Sequence, residues 1–378
     1  MRALVVLRYF PTLTETFVNE ELRALCSRGH HVRVLRLGAR SDGATLGAQV
    51  PPVTVLDPPG GLHRAAAALR APTAGQRFIA AHQRPKDALR YRATLEALRP
   101  TIHEIDVSHV HFAGEAAEWA HALALDTGLP WTCTAHAVDL YCPRPALPTT
   151  LRTAGAVLCV SEHGAGALGA LGLRPTLLRC GPRLDDWAAL DPGPVQAGPL
   201  RALFVGRDRP KKGLDLLLEA WAARPRGEGD QLHVITDRPP ADQRPLPGLR
   251  WSPLMGPAAL RAALAASNVS VLPCRRAPDG DQDGVPLVLM EAMAAGRPVI
   301  AGAVAGVPEL VDETVGWLIP PDDAAALAQA LTAAADPATR APRGAAGPAR
   351  LRAGGFTLED QVNGLLQAWR AVAGSGAP

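Results

Sequence analysis

The sequence places two carboxylates around one apolar helical stretch, DGDQDGVPLVLMEAMAAGRPVI. Asp283 stands just before the helix, and Glu291 lies inside it, among leucine, methionine and alanine. A carboxylate buried without a partner costs on the order of several kcal/mol, which is comparable with the whole stability of a small domain. Glu291 is therefore expected to hold a ligand, and a ribose diol suits it because two hydroxyls can meet two carboxylate oxygens.

The start of this helix suits an anion. Pro286 fits a first helical turn, where its missing N–H costs nothing, so the helix is expected to begin near 286. The free N–H groups near 285 to 288 then favour negative charge. The residues expected to line the bound ligand here are Gly284, Val285, Pro286 and Leu287.

A second chemical motif, FVGRDRPKKGLD, begins in an apolar run of the same half of the chain. Arg207 and Lys212 flank a turn between a predicted strand and the next helix. Two cations at the carboxyl end of a strand suit a diphosphate, which they could neutralise without a metal ion. Surface charge on a loop is the alternative. The nearby Asp279-Gly280-Asp281, which imitates a metal-binding DxD motif, is interpreted as a solvated loop.

Short apolar runs alternate with helical patterns along the chain, which is typical of a parallel sheet with helices on both faces. The predicted strands are ALVVL, VRVLRL, VSHVHF, WTCTAH and AVLCVS in the first half, and ALFVG, LHVIT, VSVLP and PVIAG in the second. The sequence therefore predicts an α/β fold with two Rossmann-like, doubly wound domains that face each other across a cleft. Ligands bind such sheets outside the carboxyl ends of the strands, so residues just after strands are the site candidates.

The domain boundaries follow from a Pro- and Gly-rich segment near the middle of the chain. The predicted parts are an N-terminal Rossmann-like domain at 1–188, a linker at 189–200, a C-terminal Rossmann-like domain at 201–355, and a helix at 356–378. The last helix carries an apolar stripe and is expected to pack back on the N-terminal domain.

The motifs of the second half together resemble those of family 4 glycosyltransferases, which are retaining GT-B enzymes that use nucleotide-sugar donors. These motifs are FVGRxxxxKGLD, VLP, DGVPLVLMEAMAAGRPVI, AGVPELV and GWLIPPDD. The family signature of two acidic residues eight apart is matched by Asp283 and Glu291. The resemblance implies that Glu291 holds the donor ribose and that Asp283, with nearby backbone amides, holds the donor sugar. It also implies that Arg207 and Lys212 hold the diphosphate. By the same resemblance, the N-terminal domain, 1–188, is the acceptor-binding domain and the C-terminal domain, 201–355, is the nucleotide-sugar-binding domain.

The first half fits the branch of this family that builds surface polysaccharides. FPTLTETFV resembles a family segment, with Thr14 in place of Ser, and HVHFA, TAHAVDLY and VSEH fit the same branch. The resemblance implies that His136 lies beside the donor sugar and the reacting centre, although a structural imidazole is the alternative. Asp139 is expected to orient His136 or touch the acceptor. His111 is left open between a structural and a functional role, and Glu309 between a nucleotide contact and a helix N-terminal acid.

Three departures from the family pattern bear on the donor. TDRPP at 236–240 stands where the family has Gly-x-Gly-Pro, Cys274 stands where Ser is usual, and Asp283 replaces a Glu. The resemblance predicts a UDP- or GDP-linked hexose-type donor, and these departures leave the base and the sugar undetermined.

The predicted activity is hexosyl transfer from that donor to an acceptor hydroxyl, with retention at the anomeric carbon and with neither a metal nor a cofactor. The acceptor is a lipid-linked polysaccharide intermediate or a secondary metabolite. Two alternatives stay open. GAGALG at 164–169 formally matches the fingerprint of an NAD-dependent oxidoreductase, with Asp185 or Asp186 as the ribose partner. The chain could also be a non-catalytic nucleotide-sugar-binding protein.

Composition and charge limit the remaining function classes. The net charge of +3 gives no reason to expect nucleic acid as a partner. The segment 62–99 carries +6, against −3 elsewhere, and is expected either to contact anionic lipid or to form a solvated face. Six cysteines without a CxxC pair indicate reduced thiols, and no apolar run reaches transmembrane length. A cytoplasmic location is predicted, with peripheral contact at the inner face of the membrane as an open possibility.

Overall fold

The computed structural model describes residues 1–12, 15–38, 51–142, 145–188, 198–238 and 246–374. The chain divides into two compact units. Unit 1 comprises Met1–Val160, Gly164–Leu178 and Gln361–Pro378, and unit 2 comprises Ser161–His163 and Arg179–Asp360. Thr14 lies outside the described residues, as does most of the predicted linker, 189–197.

Unit 1 is built on a seven-stranded parallel sheet with the strand order β3-β2-β1-β4-β5-β6-β7. Its strands are β1 (Arg2–Tyr9), β2 (His31–Gly38), β3 (Thr54–Leu56), β4 (Val107–His111), β5 (Trp131–Ala135), β6 (Ala156–Cys159) and β7 (Thr176–Leu177). Every side chain of β4 and β5 is buried. Central strands covered on both faces are typical of parallel sheets.

The helices of the first part of the chain connect these strands, as a βαβ pattern requires. They are α1 (Thr16–Ser27), α2 (Gly61–Ala68), α3 (Ala74–His82), α4 (Pro85–Leu98), α5 (Glu115–Thr127), α6 (Ala137–Tyr141), α7 (Leu147–Leu151) and α8 (Glu162–Ala170). A short 3₁₀ turn, Ile102–Glu104, precedes β4. The final helix of the chain, α16 (Leu358–Gly374), has most of its residues in unit 1, where the Trp369 ring lies 5.6 Å from the His109 ring.

Unit 2 has the same architecture, built on a six-stranded parallel sheet with the strand order β10-β9-β8-β11-β12-β13. Its strands are β8 (Arg201–Val205), β9 (Gln231–Thr236), β10 (Leu249–Pro253), β11 (Val269–Leu272), β12 (Val299–Gly302) and β13 (Gly316–Ile319). Its helices are α9 (Asp185–Ala188), α10 (Leu214–Ala223), α11 (Pro257–Ala266), α12 (Leu287–Ala294), α13 (Val307–Leu310), α14 (Ala324–Ala335) and α15 (Pro337–Ala353). The prediction of two Rossmann-like, doubly wound sheets is confirmed.

Four short strands were absent from the sequence prediction: β3, β7, β10 and β13. All four are edge strands: β3 and β7 are the edges of the unit 1 sheet, and β10 and β13 are the edges of the unit 2 sheet. The β10 side chains are half-buried or exposed, so its sequence LRWSP lacks the apolar run that marks a central strand. Edge strands are half-solvated, and hydrophobicity alone therefore signals them weakly.

A glycine lets the loop after β8 approach the loop after β11 closely. Gly213 has a φ of +65°, and a Cβ built on it would lie 2.2 Å from the Pro273 carbonyl oxygen. No other residue fits there without moving the backbone. The two loops that carry Lys212 and Asp283 are therefore held against each other by main-chain packing.

The basic segment 62–99 forms α2, α3 and α4, with breaks around Pro72 and Pro85. Within the described parts of the chain, no helix is long and apolar enough to cross a membrane. All six cysteines are described, and none of them forms a disulfide.

Candidate functional site

The predicted donor-binding residues of unit 2 lie at the carboxyl ends of neighbouring strands. Arg207 follows β8, and Lys212 ends the 3₁₀ turn Pro210–Lys212 just before α10. Asp283 belongs to the segment between β11 and α12. Because β8 pairs directly with β11, the loops that leave them start side by side. The helix α12 begins at Leu287 with Pro286 as its N-cap, one residue later than predicted.

Lys212 and Asp283 contact each other directly. Lys212 Nζ lies 2.7 Å from Asp283 Oδ2, and Lys211 Nζ lies 3.5 Å from the other oxygen. The Cys274 thiol also donates to Asp283 Oδ2, at 3.4 Å. Two residues predicted for different parts of the donor, the diphosphate and the sugar, therefore form one ion pair in the protein itself.

The pKa values of this pair show how strongly the charges stabilise each other. Burial favours the neutral forms of both groups, yet the pKa of Lys212 is raised because the Asp283 carboxylate outweighs that effect. Burial likewise raises the pKa of Asp283, but the Lys212 and Lys211 ammonium groups outweigh it, and the net pKa is lowered. Both groups are thus charged at neutral pH.

Arg207 differs from Lys212 because no described residue pairs with its side chain. Its side chain is half-buried at the end of β8. Among the residues that the structure describes, none forms a hydrogen bond or an ion pair with its guanidinium group. A half-buried guanidinium with its five N–H donors unused is a receptor for a planar or tetrahedral anion.

Glu291 is another ionisable residue of unit 2 that lacks a partner among the described residues. It projects from α12 and is half-buried, and no hydrogen-bond partner for its carboxyl group occurs in the described ranges. Burial raises the pKa of Glu291 to about 8, against a smaller lowering effect of the Arg261 charge. The carboxyl group is therefore mostly protonated at neutral pH, and a ligand with hydroxyls could supply the missing hydrogen bonds.

Glu309 is fully engaged within unit 2. It lies in α13, and its two carboxylate oxygens accept hydrogen bonds from the backbone N–H groups of Glu162 and His163, each at 2.9 Å. Arg179 adds an ion pair at 3.1 Å. The Glu309 carboxylate thus accepts hydrogen bonds from free backbone N–H groups at the start of α8. This role is close to the alternative stated above, that of an acid at a helix N-terminus. Its contact with a nucleotide stays a prediction.

The acidic loop that imitates a DxD motif is tied to a lysine. Asp281 Oδ1 lies 3.0 Å from Lys211 Nζ, and the Asp281 N–H donates to Asp279 Oδ1 at 3.0 Å. The carboxylate of Asp281, which a metal-binding loop would offer to a metal ion, therefore already has the Lys211 ammonium group as a cationic partner.

The glycine motif GAGALG at 164–169 does not form a nucleotide-binding turn. All six residues lie inside α8, whereas a dinucleotide fingerprint needs its first glycines in the turn between strand and helix. The oxidoreductase alternative therefore loses its one supporting feature.

In unit 1, His136 and Asp139 lie together at the end of β5. His136 is the N-cap of α6, and its backbone N–H donates to Asp139 Oδ2 at 2.8 Å. Burial raises the pKa of Asp139 to about 6, although hydrogen bonds from the His136 and Ala113 backbones oppose the shift. The pKa of His136 is well below its usual value because of burial and the nearby His111. His136 is therefore a neutral imidazole.

The structure adds a buried residue that the sequence analysis did not single out. His111 Nε2 lies 2.8 Å from Glu21 Oε1, and His111 Nδ1 lies 3.2 Å from His136 Nε2. Glu21 sits in α1, far from both histidines in sequence, within the amphipathic pattern TFVNEELRAL. Nothing in that local pattern distinguishes it from its half-buried acidic neighbour Glu20, so only the fold could reveal it.

Two family models match the sequence. The model described as Glycosyl transferases group 1 matches residues 199–336, and the model described as Glycosyltransferase Family 4 matches residues 14–183. The chain belongs to glycosyltransferase family 4. The resemblance seen in the sequence motifs is thereby confirmed.

Relatives of this glycosyltransferase occur among bacterial polysaccharide enzymes. The protein assigned as the colanic acid biosynthesis glycosyltransferase WcaL of Escherichia coli is 28% identical over 369 residues, which cover 86% of this chain and 88% of WcaL. The amylovoran biosynthesis glycosyltransferase AmsK of Erwinia amylovora is 37% identical over 148 residues, or 35% of each chain.

Solved structures show the same fold. Sucrose-phosphate synthase from Thermosynechococcus elongatus superposes with a TM-score of 0.74 at 21% identity, over 99% of this chain and 100% of that one. Anabaena HepE in complex with UDP-glucose gives a TM-score of 0.70 at 17% identity, over 97% and 99% of the two chains. The glycosyltransferase therefore has the GT-B fold.

The raised pKa of Glu291 predicts how its removal changes stability with pH. An acid whose pKa rises from 4.5 to about 8 on folding destabilises the folded state progressively as the pH increases between those values. Glu291→Gln has no such penalty. Its melting temperature should match wild type at about pH 5 and exceed it by roughly 2 °C or more at about pH 8.5.

Differential scanning fluorimetry without nucleotide measures this difference. Glu309→Gln is the control for general effects of a lost carboxylate. It should destabilise at both pH values, because the Glu309 carboxylate caps α8. An equal melting temperature of Glu291→Gln and wild type at the higher pH would show that Glu291 is solvated and ordinary.

Proposed function

We propose that this glycosyltransferase transfers a hexose-type sugar from a nucleotide-diphosphate sugar to an acceptor hydroxyl, with the donor held by unit 2. The observation that carries the proposal is the pair of unpartnered groups at the carboxyl edge of one sheet, the Arg207 guanidinium and the Glu291 carboxyl. A nucleotide sugar offers the complement of both, an anionic diphosphate and a ribose diol. Anabaena HepE, which has the same fold, binds UDP and UDP-glucose.

Each predicted residue has a role in this proposal. Glu291 accepts the ribose hydroxyls, and Arg207 binds the diphosphate. Lys212 adds a second positive charge, but its ammonium group is already paired with Asp283. The ion pair therefore loosens or reorients when a diphosphate binds to Lys212. Asp283 is then released to accept sugar hydroxyls. The main-chain groups of Gly284, Val285, Pro286 and Leu287 border the sugar and its phosphate at the start of α12.

We propose that the reaction proceeds with retention and without a metal ion. Neither Asp283 nor Glu291 is placed as a nucleophile, because one is ion-paired and the other is protonated. Front-side attack fits this arrangement, with the leaving diphosphate accepting the proton of the acceptor hydroxyl. Arg207 and Lys212 stabilise the negative charge that develops on the diphosphate, which is the role a metal ion plays elsewhere. The Lys211 ammonium beside Asp281 supports the same view.

We assign the acceptor to unit 1 and to polysaccharide biosynthesis. WcaL and AmsK, which are similar to this chain, are named for colanic acid and amylovoran biosynthesis. A lipid-linked intermediate is the acceptor class that these names suggest, and a secondary metabolite is the second candidate. His136, a neutral imidazole, and Asp139, whose carboxyl pKa is raised to about 6, are the unit 1 groups suited to sugar hydroxyls.

A screen of nucleotide sugars tests the donor assignment. UDP- and GDP-linked hexoses are offered with and without acceptor, and released nucleotide is measured. Isothermal titration calorimetry then compares UDP and GDP binding to wild type and Glu291→Gln. The substitution should weaken binding of the preferred nucleotide by roughly 1–3 kcal/mol, because an amide nitrogen then replaces one of the two carboxyl oxygens that meet the ribose hydroxyls. Unchanged affinity would remove Glu291 from the ribose site.

The diphosphate residues give a second prediction. Arg207→Ala and Lys212→Ala should each lower kcat by roughly a hundredfold or more, as does the loss of a group that stabilises transition-state charge. Arg226→Ala is the matched control, because it removes an exposed cation of unit 2 that precedes β9, at the edge of the sheet opposite the donor residues, and its kcat should change far less.

The same assay tests the metal question. Activity should survive EDTA if Arg207 and Lys212 alone compensate the leaving group. Loss of activity in chelator, restored by Mn²⁺ or Mg²⁺, would instead place a metal ion in the reaction and point to Asp279 and Asp281.

We also propose that α2 and the helices after it contact an anionic membrane surface. Leu62 and Leu69 are 87% and 90% exposed, and cations lie beside them along the chain. Only some of the cations in the segment 62–99 are exposed at the surface, where they could contact lipid. Arg92 is buried and pairs with Glu96, and Arg90 is largely buried against the carbonyl oxygen of Leu37. The exposed cations of the segment are Arg70, Arg77, Arg84, Lys86 and Arg99.

Co-sedimentation with vesicles tests this contact. Wild type should pellet with phosphatidylserine-containing vesicles at low salt and remain soluble at high salt, since each basic residue contributes only about 1 kcal/mol. Leu62→Ser with Leu69→Ser, and Arg84→Gln with Lys86→Gln, should each weaken pelleting. Leu125→Ser, at a 48% exposed leucine of α5, is the control. Wild type that stays in the supernatant at low salt would favour a soluble acceptor.

A further inference from the structure

A chain of buried hydrogen bonds runs from α16 to His136 inside unit 1. Gln361 Nε2 donates to Glu21 Oε2 at 2.6 Å, and Glu21 Oε1 lies 2.8 Å from His111 Nε2. His111 Nδ1 lies 3.2 Å from His136 Nε2. The Glu21 and His111 side chains are each 1% exposed, so water does not compete for these contacts. None of these connections is needed to close the sheet.

The direction of the hydrogen bonds follows from the types of atom. A carboxylate can only accept, so the nitrogen of His111 that faces Glu21 must carry a proton. If His111 is neutral, its other nitrogen is an acceptor, and His136 Nε2 must supply the proton between the two rings. His136 then has no proton on Nδ1. One carboxylate thus determines the tautomer of a ring two hydrogen bonds away.

Aromatic packing fixes the orientation of the same ring. The Phe112 and Phe17 rings lie 4.5 Å and 4.9 Å from the His136 ring. Phe112 adopts a φ of 70°, an uncommon conformation for a bulky residue, and this backbone places its ring against His136. Orientation by packing and protonation by hydrogen bonding are therefore imposed on His136 together.

We propose that Glu21 and His111 are positioning residues that hold His136 neutral, with its proton on Nε2 and its Nδ1 as an acceptor, the form that also suits the Asp139 backbone N–H facing this side chain. The part of His136 in the reaction depends on the proposed function, whereas the tautomer does not. Glu21 and His111 act only through His136, and they touch neither donor nor acceptor in this scheme.

A metal ion is the competing explanation for the same residues. Glu21, His109 and His111 each offer a ligand atom within 4.8 Å of the others, and no other group of this kind occurs among the described residues. His109, however, is already satisfied by β5. Its Nδ1 lies 2.8 Å from Thr132 Oγ1, and its Nε2 lies 3.4 Å from Thr134 Oγ1. Both nitrogens therefore have hydroxyl partners without an ion.

Nuclear magnetic resonance of the ¹⁵N-histidine-labelled protein tests the tautomer directly. Multiple-bond ¹H–¹⁵N correlations at neutral pH identify the protonated nitrogen of each ring, and His136→Asn and His111→Asn assign the two spin systems. Wild type should show single Nε2–H tautomers for both rings. Two protonated nitrogens on His111, or a proton on His136 Nδ1, would overturn the proposal. The wild-type spectrum decides this even if a variant fails to fold.

Substitutions at Glu21 separate positioning from mere stability. Glu21→Leu removes the acceptor, so His136 should become a mixture of tautomers and kcat should fall about tenfold or more with little change in donor KM. Glu21→Gln keeps an oxygen acceptor for His111 and should restore the wild-type tautomer and most of kcat. Glu20→Gln is the control, because Glu20 pairs with Arg23 on the surface of the same helix.

Two further outcomes are decisive. An unchanged His136 tautomer in folded Glu21→Leu would show that the carboxylate does not set it. One equivalent of a transition metal in the purified protein, lost in Glu21→Leu, would replace the hydrogen-bond chain with a metal site. Failure to find any nucleotide-sugar turnover would disprove the proposed function while leaving the tautomer measurement valid, so the two failures are distinguishable.

Discussion

The ion pair between Lys212 and Asp283 is the contact on which the site of unit 2 depends. It joins the loop after β8 to the segment after β11 at 2.7 Å, beside the close main-chain approach at Gly213. Removing one member of a largely buried pair leaves the other charge uncompensated, which costs about 3–5 kcal/mol when burial is complete. The pair also keeps a cation at the place where a diphosphate is expected, charged before the ligand arrives. Preorganisation of this kind lowers the cost of charge stabilisation during a reaction.

Glu291 lies at the same edge of the sheet, but no described residue forms a hydrogen bond or an ion pair with its side chain. Burial raises the pKa of its carboxyl group to about 8, so the group is mostly protonated at neutral pH. Such a group reduces the stability of the protein at neutral pH and above, so its presence is explained more readily by a ligand than by folding. Arg207, half-buried and equally without a described partner, belongs to the same class. Among the described residues of unit 2, the paired groups therefore hold the loops together, and Arg207 and Glu291 are the groups for which we propose a ligand.

Unit 1 instead has a buried network of histidines around one carboxylate, Glu21. His109 and His111 alternate along β4 and so point to the same face of the sheet, where α1, β5 and α16 provide their partners. Burial favours uncharged imidazoles, and the pKa values of His109 and His136 are accordingly well below the usual value. A fully hydrogen-bonded network of this kind specifies one arrangement of its side chains, because every alternative leaves a polar atom unpaired.

The sequence by itself determined the fold class, the family and the local placement of Arg207, Lys212 and the α12 motif. Each of these depends on periodicity or on residues close together in the chain, and strand ends and helix starts are local features. Even the position of α12 was predicted to within one residue.

Only the tertiary structure decided which residues meet. The contacts of Glu309 with the start of α8, of Lys212 with Asp283, and of Glu21 with His111 join residues that are distant in sequence. Glu21 and Glu20 are adjacent residues of the same type in one helix, yet one is buried against a histidine and the other pairs with Arg23 at the surface. The physical reason is that the partner and the burial of a side chain depend on how distant segments pack, and local sequence does not encode that packing.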